Sequence, residues 1–388
     1  MFGYFQYIME IEERMRIIQF EPENKYYQKL FIKLPFELYR DNPKWVPPLV
    51  NDMRSIFNRN EHGFYKHGYV QFLLAMDGDQ PVGRLVMLNN FKRLADKPSK
   101  TGYFYLFESQ NDFSIAVQLF SKGIEWAKEQ KIDKLFGPKG MTPMSGLGLL
   151  VRGFEHRPAF GMPYNPAYYP EFLTKFGFSQ KNESESGYFN IESSALPEKI
   201  LMAAELVKKR KGLFTLKIES TKDLRNAIST LGEMYNSALI GNESDAQLTE
   251  GDLDTMAKGL LWIAQPKLIK IIMKEDQAIG FLLAYPDVSK ALQATHGRIF
   301  PFGWARILWE KYHTKSININ GIGVVDEYRG IAGTAVLFSE LYDSVASSGQ
   351  FKHAEVIQIG VENERMRREL RDLGIDFYKE HAMFELPI

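Results

Sequence analysis

The chain has 388 residues, with 48 basic and 48 acidic side chains and therefore no formal net charge. That length holds two or three domains of ordinary size, and the neutral balance excludes the electrostatic footprint of a general nucleic-acid binder. Cysteine is absent, which excludes disulfides, thiolate metal sites and a cysteine nucleophile.

The first twenty residues carry apolar patches, but Glu10, Glu12 and Glu13 break them and no basic n-region precedes them. No stretch approaches the ~18 apolar residues of a membrane span. The expectation is a cytoplasmic protein with no membrane partner and no nucleic-acid partner.

In chain order, a helix is expected at about 25–40, then a hairpin from Met76 to Leu85 turning at Gly78-Asp79-Gln80. Gly83, early in the second strand, marks a bulge or close backbone approach. A strand follows at Gly102–Phe107. The next helix is capped by Asp112 and faces its core with Ala116, Leu119, Phe120, Gly123, Ile124 and Ala127. The turn-rich segment from Gly137 to Gly146 reads as a connector or a substrate loop. Asn165-Pro166-Ala167-Tyr168-Tyr169 reads as a helix start with Pro166 in its first position, or as pocket lining. The polar stretch at 191–199 places a boundary, giving domains 1–195 and 196–388. A helix then carries Ile200, Ala203, Ala204 and Val207. It closes with Lys208-Lys209-Arg210-Lys211 and a Gly212 stop, a basic end favoured by the macrodipole or usable as a phosphate patch.

The second half repeats the first. A helix is expected at about 221–239, a hairpin from Met273 to Leu282 with Gly280 in place of Gly83, and a strand at Ile317–Val324. A helix then presents Ala335, Phe338, Leu341, Tyr342 and Val345 on one face. Gly83 and Gly280 lie 197 apart, as do Gly177 and Gly374, which argues for duplication. Each half is expected to end in its own strand, helix and terminal strand. The fold class is α/β (α+β): two tandem domains, each a mixed, mostly antiparallel sheet flanked by helices. Between Gly280 and Ser316 lies an aromatic insertion around Phe300, Phe302, Trp304 and Trp309, suited to roofing an acceptor pocket with Trp304 or to packing at a domain interface.

The segment from Gly323 to Leu337 runs strand, small-residue turn, helix. Main-chain N–H groups at such a helix start bind anions, above all a pyrophosphate. This segment resembles the acyl-CoA-binding loop of the GCN5-related N-acetyltransferases (GNAT superfamily). Leu34–Tyr39, Trp45–Leu49, Val82-Gly83-Arg84 and Asn165–Tyr169 extend the resemblance to a bacterial family of tandem GNAT-like proteins. It implies acetyl-CoA or another acyl-CoA held by Val324, Val325, Arg329, Gly330, Ile331, Ala332, Gly333, Thr334 and Asn363. It also implies a small-molecule amine as acceptor. Strand N–H groups from Gly323 to Val325 are the candidate oxyanion donors.

Three departures stand out. Thr334 replaces a small residue of the loop. Leu370 stands where many members carry an acidic tyrosine. Asn318 and Asn320 occupy the strand on which a general base is often found. The proton-transfer candidates left are Tyr328 and Tyr378, then His296 and His313. Trp304, Tyr168 and Tyr169 are candidate substrate contacts. No histidine spacing suits a metal. The first half, with Glu108-Ser109-Gln110-Asn111-Asp112 after its strand, reads as a copy without cofactor. The functional readings are an N-acyltransferase, a non-catalytic tandem domain binding CoA, a metabolite or a protein, and a tRNA-dependent aminoacyl transferase.

Overall fold

The computed structural model describes residues 15–90, 100–142, 146–192, 196–238, 261–328 and 331–388. The chain forms two compact units that are not contiguous in sequence. Unit 1 comprises Met1–Lys181, His296–Ile299 and His381–Ile388; unit 2 comprises Asn182–Thr295 and Phe300–Glu380.

The elements run β1 (Met15–Phe20), α1 (Lys25–Leu38), α2 (Val50–Ser55), β2 (Gly68–Asp77), β3 (Gln80–Asn90), β4 (Thr101–Ser109), α3 (Phe113–Glu129), β5 (Lys134–Gly137), β6 (Leu149–Arg152), α4 (Tyr168–Phe176) and β7 (Ser179–Asn190). They continue as α5 (Glu198–Lys211), β8 (Leu213–Thr215), α6 (Thr221–Ala238), β9 (Lys270–Lys274), β10 (Gln277–Pro286), α7 (Ser289–Thr295), α8 (Gly303–His313), β11 (Ser316–Val324), α9 (Ile331–Ser348), β12 (His353–Gly360), α10 (Glu364–Asp372) and β13 (Asp376–Pro387).

In unit 1, β1 to β4 pair antiparallel in sequence order and β5 adds in parallel beside β4. Alternation along β2 and β3 sends Leu73, Ala75, Leu85 and Met87 towards α3, and Phe72, Leu74, Val86 and Leu88 towards α1 and α2. Asp112 caps α3 by accepting the Ser114 N–H, and the expected face of that helix is buried. In unit 2, β8 to β11 pair antiparallel and β12 lies parallel to β11. Ile317 and Ile319 of β11 and Ala354 and Val356 of β12 face α9 and α5. On the opposite face, α6 packs Leu224, Ala227 and Leu231 on Ile271, Phe281 and Leu283. Gly212 ends α5 at φ +67°, where a side chain would be strained.

Both units carry the same irregularity at the same pairing. Opposite β3, one register step spans two residues of β4, including Leu106 at φ +50°; opposite β10, one step spans two residues of β11, including Gly321 at φ +126°. These are β-bulges, which bend the strand and increase its twist. The parallel neighbour is lost at about that point. Pairing of β4 with β5 ends at Tyr103↔Phe136, and pairing of β11 with β12 ends at Ile319↔Val356, although β11 continues to Val324 and β12 to Gly360. Unit 2 therefore has an opening between two parallel strands beyond a bulge, whereas in unit 1 β5 itself ends at Gly137. Gly83 and Gly280 also sit beside register breaks of their hairpins.

The terminal strands correct the expected order. β7 runs on into unit 2 and pairs with β12, while the end of β13 belongs to unit 1 and pairs with β5, Phe384 opposite Gly137. Each half thus lends its last strand to the other. Which strands each of them joins is a long-range pairing that its own residues do not encode. Asn165 also departs from its expected role: α4 starts at Tyr168, and Asn165 instead brackets Leu150, accepting its N–H at 2.7 Å and donating to its carbonyl at 3.1 Å.

Candidate functional site

In unit 1 a cluster of side chains covers the end of β4. Glu108 and Arg84 are cross-strand neighbours and meet at 3.5 Å, with Arg84 also donating to the Phe31 carbonyl at 2.8 Å and lying over the Phe31 ring. Tyr39 donates to Glu108 at 2.8 Å and stacks on Trp45; the Tyr169 hydroxyl lies 2.9 Å from the same carboxylate oxygen. Tyr169 also accepts the Ser109 N–H at 2.7 Å, and Tyr168 donates to the Ser109 carbonyl at 2.9 Å. The main chain at the end of β4 is therefore satisfied by tyrosine hydroxyls from α4. Burial pushes the Glu108 carboxyl above its usual range, against the pull of Arg84. Glu108, expected in an acidic loop, is turned inward. Tyr39, Arg84 and the Tyr168-Tyr169 pair come from three distant parts of the sequence and gather about this one carboxylate, with Trp45 stacked behind Tyr39.

A groove of about 1250 Å³ elsewhere in unit 1 is lined by Lys25, Lys29, Lys33, Arg54, Arg59 and Arg298, with Glu23 and Glu37 among them. It is a local basic surface that the zero net charge does not reveal.

In unit 2 the face opposite α9 is polar at the opening. The register places Tyr285 of β10, Asn318 of β11, Glu355 of β12 and Tyr188 of β7 in one cross-strand row. Lys379 donates to Glu355 at 2.7 Å, and the Tyr378 hydroxyl also bonds this carboxylate. The side chain of Glu355 keeps 14% exposure and Lys379 only 2%. Burial pushes the Glu355 carboxyl up; Lys379 and the tyrosine oppose this, and the charge of Asp287 adds to it. Tyr378 is held protonated, first by burial and then by the Glu355 charge. Tyr285 is pushed up to about 12, chiefly by burial, and accepts from Asn320 at 3.0 Å. The Nδ2 of Asn318 is buried with no hydrogen-bond partner. At the end of the row, Tyr188 and His353 meet at 2.5 Å.

The strand-to-helix junction at the other end of β11 is tightly built. A Cβ on Gly333 would come within 2.7 Å of Val324 and 2.8 Å of the Tyr328 carbonyl. Arg329 and Gly330 lie outside the described residues. Val325 is not a free oxyanion donor, because its N–H bonds the Ile279 carbonyl at 2.9 Å; this corrects the expectation for that amide. Tyr328 is buried in the α9 core, and its hydroxyl accepts from Lys274 at 2.7 Å. The bond to Tyr328 pushes the Lys274 ammonium up. Lys211, from the basic end of α5, lies 5.8 Å from the same ring. Two lysines thus stand beside the start of α9, a helix of 18 residues whose N-terminus favours an anion. The donor set fits a diphosphate-bearing group.

The remaining expected residues fall as follows. Thr334 is buried. Asn363 caps α10 by accepting the Met366 N–H rather than projecting from within the helix. Leu370 is fully buried. Trp304 is exposed, with Nε1 bonded to the Pro301 carbonyl. His313 stacks on Trp309 and His296 is exposed. Of the two tyrosines proposed for proton transfer, only Tyr378 touches the polar row. Glu355 lies on β12, one strand away from the β11 positions where the resemblance places a base. The signal was a lone acid in the apolar alternation of Ala354, Val356 and Ile357. Among the described residues no group of three or more metal-ligating side chains is arranged to hold an ion.

Mixed, mostly antiparallel strands flanked by helices in each unit, with the same bulge recurring at the same pairing, make up the tandem GNAT fold. A solved tandem GNAT protein from the clavulanic acid biosynthesis pathway superposes with a TM-score of 0.55 at 12% identity, covering 96% of this chain and 98% of that one. In sequence, the chain is 25% identical over 376 residues to protein YghO of Escherichia coli, covering 94% of each. It is 25% identical over 368 residues to the bacterial ceramide synthase of Caulobacter vibrioides, covering 92% of this chain and 94% of that one. No family model matches the chain.

Proposed function

We propose that the protein is an acyl-CoA-dependent N-acyltransferase, that unit 2 carries the reaction, and that the acceptor is a long-chain amine. The observation that carries this reading is Glu355: a largely buried carboxylate with a raised proton affinity, in a polar row beside the opening between β11 and β12. An alkyl amine is protonated at neutral pH, with a pKa of about 10, and attacks only after losing a proton. Glu355 accepts that proton. Asn318 Nδ2 is the donor available to a carbonyl oxygen gaining charge. Tyr378, which keeps its proton, supplies one to the leaving thiolate and recovers the one that the acylated nitrogen sheds as the amide forms. Acyl-CoA supplies, when bound, the thioester carbon to which the amine nitrogen bonds as the C–S bond breaks. Lys211 and Lys274 answer the phosphate charge, together with the segment holding Arg329 and Gly330.

The acceptor class comes from the relative named a bacterial ceramide synthase. A ceramide is the amide of a fatty acid and a long-chain amino alcohol. That points to an amphipathic amine within the small-molecule amines expected from sequence. In unit 1, Tyr168 and Tyr169 occupy the main-chain groups of Ser109, which supports a copy without cofactor.

Calorimetric titration with CoA, followed by mass spectrometry on a panel of amines, tests the reading. Binding lost in Arg329→Ala, with amide formed on long-chain amino alcohols, is the expected result. Binding without amide formation across the panel would leave a CoA-binding protein. A second reading, aminoacyl transfer from charged tRNA, draws on the basic groove of unit 1. Retention of tRNA at moderate salt would favour it.

A further inference from the structure

Within unit 2, the large apolar side chains between residues 300 and 312 stand largely in solvent. Phe300 and Phe302 are 75% and 78% exposed, and Trp304, Leu308, Trp309 and Tyr312 lie between 43% and 56%. Trp304, Leu308 and Tyr312 follow one another at helical spacing along α8, with Trp309 beside Leu308, so they form one stripe. The opposite side of the helix is the buried one, carrying Gly303, Ile307, Glu310 and Lys311. Lys311 is anchored there by donating to the Trp262 carbonyl at 3.1 Å. A contiguous aromatic surface of this kind marks an interaction site.

The charges beside the stripe are of one sign. Arg306 and Lys315 are exposed, and the one carboxylate between residues 300 and 315, Glu310, is buried. The rings are fixed in place rather than folded down. Arg306 lies over the Trp309 ring at 5.1 Å, His313 stacks on the same ring with centroids 4.3 Å apart, and Trp304 Nε1 bonds the Pro301 carbonyl.

We propose that α8 and the Phe300–Phe302 turn dock on the surface of an anionic phospholipid bilayer. Tryptophan and tyrosine favour the headgroup level, where the ring is half in hydrocarbon and its polar atom stays wet. A helix with an apolar face and basic flanks lies in the plane of that interface, and cations beside it gain from anionic headgroups. An α8 of 11 residues is about 16 Å long, too short to span. Among the described residues no helix is long and apolar enough to cross a membrane. The sequence-based expectation of no membrane partner rested on the missing span, and a surface helix needs none. The proposal stands on this helix alone, whatever the acceptor in unit 2.

The test is flotation of the full chain with vesicles of phosphatidylcholine, with and without phosphatidylglycerol, in the absence of any substrate. Tryptophan emission is read alongside. The protein is expected to float with the anionic vesicles and its emission to shift to the blue. A Trp304→Ser/Trp309→Ser variant should lose about tenfold or more of the bound fraction. Arg306→Glu should remove the phosphatidylglycerol-dependent part, and Tyr69→Ser, at an exposed tyrosine of unit 1, should bind as the parent does. Melting temperatures confirm that each variant is folded. The proposal is overturned if the parent stays in the aqueous fraction or if the double tryptophan variant floats as well as the parent. It is also overturned if the stripe proves to be a contact between two copies, seen as a dimer that the same variant splits.

Discussion

Lys379 donates to Glu355 across 2.7 Å, and both side chains are withdrawn from solvent. Removing one member of such a pair leaves the other charge without its partner, at a cost of about 3–5 kcal/mol. The ammonium also opposes the upward push that burial gives to the Glu355 carboxyl. Lys379→Met should therefore raise the proton affinity of Glu355 further. The base must be deprotonated to act, so the rising limb of kcat/KM against pH should move to higher pH. A limb that stays in place would separate Glu355 from the reaction.

The two lysines at Tyr328 should matter for the cofactor and not for the fold. Lys211→Ala and Lys274→Ala each remove one cation beside Tyr328, the first exposed and the second half-buried. Each should weaken CoA binding by about three- to tenfold, in line with a charge-assisted phosphate contact, and shift the melting temperature little. Titration calorimetry at low and high salt checks both, since the loss should shrink as salt screens the charge.

The Glu108 cluster makes a prediction about stability, with a definite sign. Burial raises the Glu108 pKa in the folded protein above its unfolded value. The stabilisation linked to its proton is complete below the unfolded pKa and is lost as pH rises through the folded one. Glu108→Gln removes this dependence. The melting temperature of the parent should therefore fall relative to the variant as pH rises from the acid side towards neutrality. A gap that moves the other way would show that Arg84 outweighs burial.

Gly321 forms the bulge of β11 at φ +126°, and a Cβ there would touch Leu283 at 3.4 Å. Gly321→Val should lower stability by about 1–3 kcal/mol, because a β-branched residue does not adopt that conformation without strain. It should also lower activity more than stability explains, since the bulge is what ends the pairing of β11 with β12. Urea denaturation and steady-state rates, measured together, test this.

The alternation and capping signals carried most of the architecture into the sequence. Asp112, Gly212 and the two hairpin glycines each act locally, and each sits where its chemistry requires. The exchange of terminal strands was not legible, because the pairing of β7 with β12 and of β13 with β5 is set by long-range register that neither strand's own residues encode. The polar row was not legible either. It assembles Tyr285, Asn318, Glu355 and Tyr188 from four strands, and only the register brings them side by side. Tyr168 and Tyr169 were noticed as a motif, but their meeting with Tyr39 and Arg84 at Glu108 is a long-range contact that spacing does not encode.

The central claim is that Glu355 takes the proton of a long-chain amine as it is acylated. The most direct measurement is amide formation, followed by mass spectrometry, from a long-chain amino alcohol and a fatty acyl-CoA with the parent and with Glu355→Gln. The account predicts amide from the parent and a rate reduced about 10²- to 10⁴-fold in the variant, with CoA binding retained. Amide formed equally by both, or none from the parent while CoA still binds, would contradict it.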